Sequence, residues 1–133
     1  MQDNQTSHQY DDNNIIIVGA GASGIAMGCQ LQRKLGFKNF EIYEKDEDFG
    51  GTWYMNTYPG CGCDIPSHFY SFSFELNPDW SHAFSLQPEI LAYMKNVGKK
   101  YDLPARTRFG MEGVGAEWDN NEEKGTVTFK NVK

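Results

Sequence analysis

The hydrophobic positions in the first third of the chain predict a strand, a helix and a second strand in succession. Four β-branched residues without alternation, Ile15–Val18, are typical of a parallel strand that is buried on both faces. Apolar residues then recur at helical spacing over residues 25–35, and Gly36 suits the position just beyond a helix end. A second short strand is predicted over residues 40–44. Residues 11–44 therefore have the order and length of a strand–helix–strand unit.

The remainder of the chain has weaker periodicity. Residues 45–85 are rich in aromatics, glycine and proline, which is typical of a long functional loop. Within it, the spacing of Phe72 and Phe74 favours a half-buried strand and core packing. Pro88 predicts the start of a helix. Three further short strands are predicted over residues 107–109, 114–118 and 126–129, the last two joined by a polar turn at residues 119–125.

A glycine motif lies where the first strand meets the first helix. In this Gly19-x-Gly21-x-x-Gly24 pattern, the first glycine permits a tight turn, the second lets the backbone approach a pyrophosphate, and the third lets the helix pack closely on the strand. Ser23, within the motif, is also predicted to bind the cofactor. Glu44, twenty residues after Gly24, can accept hydrogen bonds from ribose hydroxyls and would repel a 2′-phosphate. These residues predict a site for the ADP half of FAD or NAD; the alternative is a structural glycine turn with a surface glutamate.

Composition excludes several other functions. The 133 residues carry a net charge of −6 without a Lys/Arg cluster, so we expect no nucleic-acid binding. No apolar run approaches the roughly 20 residues of a membrane span. Residues 1–13 are predicted to be a polar leader without a secretory signal, which indicates the cytoplasm. Cys29, Cys61 and Cys63 lack metal-ligand spacing, so no metal site is expected.

Several motifs in the central loop resemble one enzyme family. They are Gly50-Gly51-Thr52-Trp53, Tyr58-Pro59-Gly60, Asp64, and the helix start Gln87-Pro88-Glu89-Ile90-Leu91. In this order and spacing they resemble the FAD-binding domain of Baeyer–Villiger monooxygenases, within the wider flavin-containing monooxygenases. The resemblance implies an α/β fold: a Rossmann-like FAD-binding domain, with a parallel sheet and a β-meander.

The resemblance also implies cofactor contacts for particular residues. FAD contacts are expected at Glu44, Thr52, Trp53, Asp64 and Tyr70. Tyr54 and Met55 complete the predicted FAD set. The flat side chains of Trp53 and Tyr54 can form a wall for the flavin ring. A weaker NADP contact is expected at Gly62, Cys63 and Asp64. Cys61-Gly62 stands where the family usually has a basic residue, which predicts weaker binding of NADPH.

The function that the resemblance implies is insertion of oxygen beside a ketone carbonyl, with FAD as cofactor and NADPH and oxygen as co-substrates. Residues 14–133 are expected to be a partial FAD-binding domain, truncated before its sheet is complete and without the NADPH domain. The catalytic residues of the family are not assigned to this chain. Expected partners are a small carbonyl substrate and a complementing chain or domain. The alternatives are an N- or S-oxygenating flavin monooxygenase and a catalytically silent FAD-binding module.

Overall fold

The computed structural model describes residues 5–7 and 14–133, which form two small sheets and three helices. The strands are β1 (Gln5–Ser7), β2 (Ile15–Val18), β3 (Phe40–Glu44), β4 (Thr107–Phe109), β5 (Met111–Asp119) and β6 (Lys124–Asn131). The helices are α1 (Ala22–Leu35), α2 (Thr52–Met55) and α3 (Gln87–Lys100), with 3₁₀ turns at Ser67–Tyr70 and Pro104–Arg106. One sheet is parallel, with the order β2-β3-β4, and the other is antiparallel, with the order β1-β6-β5.

The predicted strand–helix–strand unit is confirmed in β2, α1 and β3. In the parallel ladder Ile15 lies opposite Phe40 and Val18 opposite Tyr43. Helix α1 ends at Gly36, which adopts φ +61° and donates its N–H to the Gln32 carbonyl at 3.1 Å. This left-handed conformation favours glycine and satisfies an otherwise unpaired carbonyl of the last turn. The Rossmann-like α/β fold expected from the sequence is therefore present.

One expectation about the parallel sheet is wrong. Strand β2 is not buried on both faces: Ile17 is buried, but Val18 is 60% exposed. Within the described residues β2 pairs only with β3, so it lies at an edge of the sheet. The predicted strand over residues 107–109 is confirmed as β4, which pairs in parallel with β3, with Ile42 opposite Thr107. Three residues carry too little periodicity to indicate a partner.

The predicted hairpin is confirmed and is longer than expected. Strands β5 and β6 pair antiparallel from Met111 opposite Asn131 to Asp119 opposite Lys124, with an irregularity between Gly113 and Gly115. The turn is therefore shorter than residues 119–125. The ring of Phe129 stacks on that of Tyr43 with centroids 4.0 Å apart, and this contact joins the antiparallel sheet to the parallel one.

The polar leader is only partly described. Gln5–Ser7 pairs antiparallel with β6, an arrangement that the sequence does not indicate, and the rest of the leader lies outside the described residues. The antiparallel sheet is thus completed by an N-terminal strand rather than by a third consecutive strand of a meander. No helix among the described residues is long and apolar enough to cross a membrane.

The central loop contains α2 and packs on α3. Phe72 and Phe74 stack with centroids 5.2 Å apart, and both lie against the core. The expected core packing is confirmed, but the half-buried strand is not, because these residues form a tight turn that is closed by Phe72 and Glu75. The side-chain hydroxyl of Tyr93 on α3 accepts the N–H of Phe72 at 2.8 Å. Helix α3 thereby holds the loop in place.

We expect Cys29, in the core side of α1, to be inert in the folded chain. Its side chain is fully buried, and burial raises the pKa of its thiol from 9.0 to about 12. That difference lowers the thiolate fraction at pH 8 on the order of 1,000-fold relative to an ordinary cysteine. Alkylation at pH 8, followed by peptide mass spectrometry, should label Cys29 only after urea unfolding. Labelling of Cys29 at equal rates in the two states would contradict its burial.

Candidate functional site

A cleft of about 450 Å³ lies where β2 and β3 end and α1 begins. This is the edge at which open parallel sheets bind ligands, and the volume lies within the range of about 300–1,000 Å³ usual for ligand sites. Strand β5 closes the cleft on the side of the hairpin. The lining residues are Val18, Gly19, Gly21, Tyr43, Glu44, Lys45, Asp46, Gly51, Thr52, Met55, Asn56, Met111, Glu112 and Gly113.

The first and third glycines of the motif are required by the backbone itself. Gly19 has φ +95°, and its N–H donates to the Tyr43 carbonyl at 2.7 Å, which ties the turn to β3. A Cβ on Gly24 would lie 1.9 Å from the Gly19 carbonyl oxygen, so no other residue fits there. Gly21 is the N-cap of α1 and has no side chain to cover the first-turn N–H groups. These groups and the positive end of the helix dipole suit a bound anion.

A second glycine pair packs against the first loop. Gly51 has φ +53°, and a Cβ on it would lie 3.0 Å from the Gly21 Cα. The Gly50 N–H donates to the Ala20 carbonyl at 3.1 Å, which joins the two loops directly. On its other side Gly50 meets α3, because a Cβ there would lie 2.4 Å from Leu91 Cδ1. The close approach of the two loops therefore requires glycine at positions 50 and 51.

Glu44 is a buried carboxylate at the end of β3. Its Oε2 accepts the Ala20 N–H at 2.5 Å, and its Oε1 accepts the Asp46 N–H at 2.9 Å. The side chain thereby holds the glycine loop against the strand end. A carboxylate oxygen has two acceptor positions, so each oxygen retains the capacity to accept a further hydrogen bond, including one from a ribose hydroxyl.

We expect Glu44→Gln to destabilise the chain by roughly 1–3 kcal/mol, because an amide nitrogen would face one of the two N–H groups that the carboxylate now satisfies. The measurement is urea unfolding in the absence of any ligand. Glu41→Gln, on the same strand, is the matched control, since Glu41 pairs with Arg108 in a partly exposed ion pair at 2.9 Å. Such pairs contribute about 0–1 kcal/mol. Equal effects of the two substitutions would contradict the structural role of Glu44.

The aromatic residues predicted to contact FAD lie behind the cleft rather than in its lining. Trp53 is buried in the core, and its Nε1–H donates to the Tyr70 hydroxyl at 2.8 Å. Their rings meet edge to face with centroids 5.4 Å apart. Tyr54 lies half-buried under the Lys95 ammonium, which is 5.8 Å from its ring centroid. Trp53 therefore anchors α2 to Tyr70 in the core, while Thr52 and Met55 of the same helix reach the cleft.

The residues predicted to contact NADP lie in a separate part of the loop. Gly62 pairs with Leu86 in an isolated β-bridge, and the Cys63 N–H donates to the Ser85 carbonyl at 3.0 Å. Asp64 is exposed. The described residues hold no group of three or more side chains suited to a metal ion.

The structure thus brings together only part of the predicted site. Five predicted residues line the cleft, namely Gly19, Gly21, Glu44, Thr52 and Met55. The others do not line it: Ser23, Gly24, Trp53, Tyr54, Gly62, Cys63, Asp64 and Tyr70.

Sequence reasoning missed the contribution of β5 to the cleft. Met111, Glu112 and Gly113 line it opposite the glycine loop. One signal was available, because a glycine inside a strand often marks close approach of another segment. Here a Cβ on Gly113 would lie 3.1 Å from Val18 Cγ1. Lys45, Asp46 and Asn56 were also missed, and they follow directly in sequence on residues that were predicted.

The amino-acid sequence is similar to a known domain family and to named monooxygenases. The family model described as an NAD(P)-binding Rossmann-like domain matches residues 17–97. The chain is 50% identical over 116 residues to the FAD-binding monooxygenase BOA2 of Botryotinia fuckeliana, covering 85% of this chain and 22% of that protein. It is 45% identical over 108 residues to a Baeyer-Villiger monooxygenase of Pseudomonas aeruginosa, covering 81% of this chain and 20% of that protein.

A solved structure gives the same result. The cyclohexanone-bound crystal structure of cyclohexanone monooxygenase aligns with a TM-score of 0.81 at 35% identity, covering 87% of this chain and 23% of that one. The resemblance inferred from the motifs is therefore confirmed, although the chain spans only 22% and 20% of the length of the two relatives. The range matched by the family model includes the glycine loop and Glu44, and the chain belongs to the family of NAD(P)-binding Rossmann-like domains.

Proposed function

We propose that this chain binds FAD through its ADP half in the cleft beside Gly21 and Glu44, as part of a Baeyer–Villiger-type monooxygenase. The whole enzyme would use NADPH and oxygen to insert an oxygen atom beside a ketone carbonyl. The observation that carries the proposal is the pairing of a side-chain-free helix start with a buried carboxylate at the next strand end. Relatives that are named FAD-binding and Baeyer-Villiger monooxygenases support it.

The residues that line the cleft fit a dinucleotide cofactor. Gly21 and Gly51 expose backbone at the point where a pyrophosphate would approach α1. Glu44 would accept ribose hydroxyls with the acceptor positions that Ala20 and Asp46 leave free. Thr52 adds a hydroxyl to the lining beside Gly51. The task of this chain is to bind, orient and partly shield the cofactor, whereas FAD itself supplies the redox chemistry when it is bound.

The charge of Glu44 favours FAD over NADP in this cleft. A buried carboxylate beside the ribose would repel the 2′-phosphate that distinguishes NADP from NAD. NADPH would therefore act from another position, and Gly62, Cys63 and Asp64 stay the predicted contacts for it.

Binding of the cofactor is tested by titrating the 133-residue chain with FAD, FMN and ADP, followed by equilibrium dialysis. If the ADP half carries recognition, FAD binds, ADP competes with it, and FMN, which lacks the adenosine, does not. The matched control is heat-unfolded chain, which should retain none of the three. Absence of FAD binding, or equal binding of FMN, would contradict the proposal.

A silent FAD-binding module is a second candidate, and one observation favours it. Residues 56–67, which contain the predicted NADP contacts, carry no lysine or arginine. Two of these contacts, Gly62 and Cys63, already pair with the segment before α3. Adding NADPH to the FAD-loaded chain separates the two candidates. Rapid bleaching of the flavin band indicates a working pyridine nucleotide site in this chain, and an unchanged band indicates the silent module.

The remaining expectations belong to the whole enzyme. We propose a small carbonyl compound as substrate, in line with the cyclohexanone bound to the related monooxygenase. A complementing chain or domain would be needed for turnover, because the relatives are about five times longer than the part matched here. We also propose a cytoplasmic location. Assaying ketone turnover with and without a domain supplied in trans tests the complementation; N- or S-oxidation in the same assay would favour the other class of flavin monooxygenase.

A further inference from the structure

One stripe of α3 contacts residues 48–53, a segment that contributes Gly51 and Thr52 to the lining of the cleft. Gln87, Leu91 and Lys95 are four residues apart and therefore lie on the same helix face. Leu91 packs against Gly50, and the Lys95 ammonium pairs with the Asp48 carboxylate at 2.6 Å. None of the three lines the cleft. All three side chains contact the segment formed by residues 48–53.

Gln87 makes the most specific of these contacts. It is a polar residue that is only 8% exposed, at the first position of α3. Its side-chain Nε2 donates to the Trp53 carbonyl, and its backbone N–H donates to the Cys61 carbonyl at 2.8 Å. A single residue thus ties down both ends of the segment between Trp53 and Cys61. Residues 55–60 of that segment are exposed and depend on these ends for their position.

The Trp53 carbonyl belongs to the short helix α2, two of whose residues reach the cleft. Thr52 and Met55 line the cleft, and Trp53 is braced from below by Tyr70. Tyr70 holds the side chain of Trp53 and Gln87 holds its carbonyl, so two bonds on different sides of the residue restrain the orientation of α2. A buried glutamine amide that lost its acceptor would also be costly, which makes this bond selective for one arrangement.

We propose that Gln87 is a positioning residue for the cofactor site. It fixes α2 and the following loop, and thereby sets where Thr52 and Met55 lie in the cleft. The proposal rests on the proposed function for its consequence on FAD, but the anchoring of α2 can be measured without any ligand.

The test compares Gln87→Met with Gln32→Met. Methionine keeps the length and much of the volume of glutamine but has no N–H to donate. Gln32 is a matched control, because its Nε2 donates to the Tyr101 carbonyl at 2.9 Å and so joins two helices in the same way, away from the cleft. Gln87→Asn is a second variant that keeps the amide but shortens its reach. Thermal melts establish that each variant is folded.

Hydrogen exchange without ligand is the first readout. The backbone N–H groups of residues 53–56 donate to carbonyls within residues 50–52, and these bonds should open more often without the anchor. In Gln87→Met and Gln87→Asn we expect their exchange to be about tenfold faster, the size of effect that loss of one hydrogen bond produces, with no change in Gln32→Met. Unchanged exchange in folded Gln87 variants overturns the proposal.

FAD titration is the second readout. We expect the Kd for FAD to rise about tenfold in the Gln87 variants, with a changed visible flavin spectrum, and neither change in Gln32→Met. An equal loss in all variants would show a general effect on stability and overturn the positioning role. A chain that binds no FAD even without substitution contradicts the proposed function, whereas faster exchange in Gln87→Met would still support the anchoring of α2.

Discussion

A Gly24→Ala variant is expected to lose most of the stability of the fold. The added Cβ would lie 1.9 Å from the Gly19 carbonyl oxygen and 3.5 Å from Ile17 Cγ2. The first distance is far inside van der Waals contact, and the oxygen belongs to backbone that is itself bonded to β3 through the Gly19 N–H. Helix α1 would have to move away from β2. We expect a cost of about 3 kcal/mol or more, the upper part of the range for overpacking.

The measurement for Gly24→Ala is urea unfolding followed by circular dichroism, with Gly115→Ala as control. Nothing lies within 4 Å of a Cβ built on Gly115, which is exposed in β5. The control should therefore unfold within about 0.5 kcal/mol of the unsubstituted chain. Similar stability of the two variants would mean that α1 does not pack on β2 as described.

A Gly21→Val variant is expected to fold and to lose FAD binding below detection. Gly21 has φ −75°, which other residues adopt without strain, and a Cβ there meets only the Gly51 Cα at 3.6 Å, an ordinary contact. The γ-methyl groups of valine, however, extend into the narrow space between the two glycine loops. That is the space where the proposed pyrophosphate would approach the N–H groups of α1. The fold therefore tolerates the substitution better than the ligand does.

Retention of FAD after gel filtration, read from the flavin absorbance, tests this expectation. Gly115→Val is the control, because the same side chain is added in β5, outside the cleft lining. We expect it to keep the FAD affinity of the unsubstituted chain. If Gly21→Val bound FAD as tightly as Gly115→Val, the assignment of the pyrophosphate to this loop would be wrong.

The parts of the fold that sequence predicts best are those in which local chemistry decides the structure. Strand β2, the glycine turn, and the end of α1 at Gly36 each follow from residues adjacent in sequence. The glycine motif also placed Glu44 correctly at the end of β3, since a strand–helix–strand unit fixes which strand ends are neighbours. The glycine loop and its position beside Glu44 could therefore be predicted from sequence alone.

The parts that sequence missed depend on partners distant in the chain. Thr107–Phe109 is too short to show which strand it joins, and its place beside β3 is decided by tertiary contacts. The sequence did not indicate that the indole N–H of Trp53 donates to the hydroxyl of Tyr70, seventeen residues away, or that the Trp53 side chain is buried in the core. The anchoring amide of Gln87 is invisible in sequence because a glutamine at a helix start is ordinarily exposed.

The hydrogen bonds of the glycine loop have a consequence for the free energy of binding of the proposed cofactor. The backbone N–H of Ala20 donates to Glu44 and its carbonyl accepts the Gly50 N–H, so both groups have their partners within the chain itself. The proposed cofactor would therefore not have to order this part of the chain. The conformational entropy that an unstructured loop would lose on association is lost during folding instead. This part of the cleft is preorganised for ligand binding.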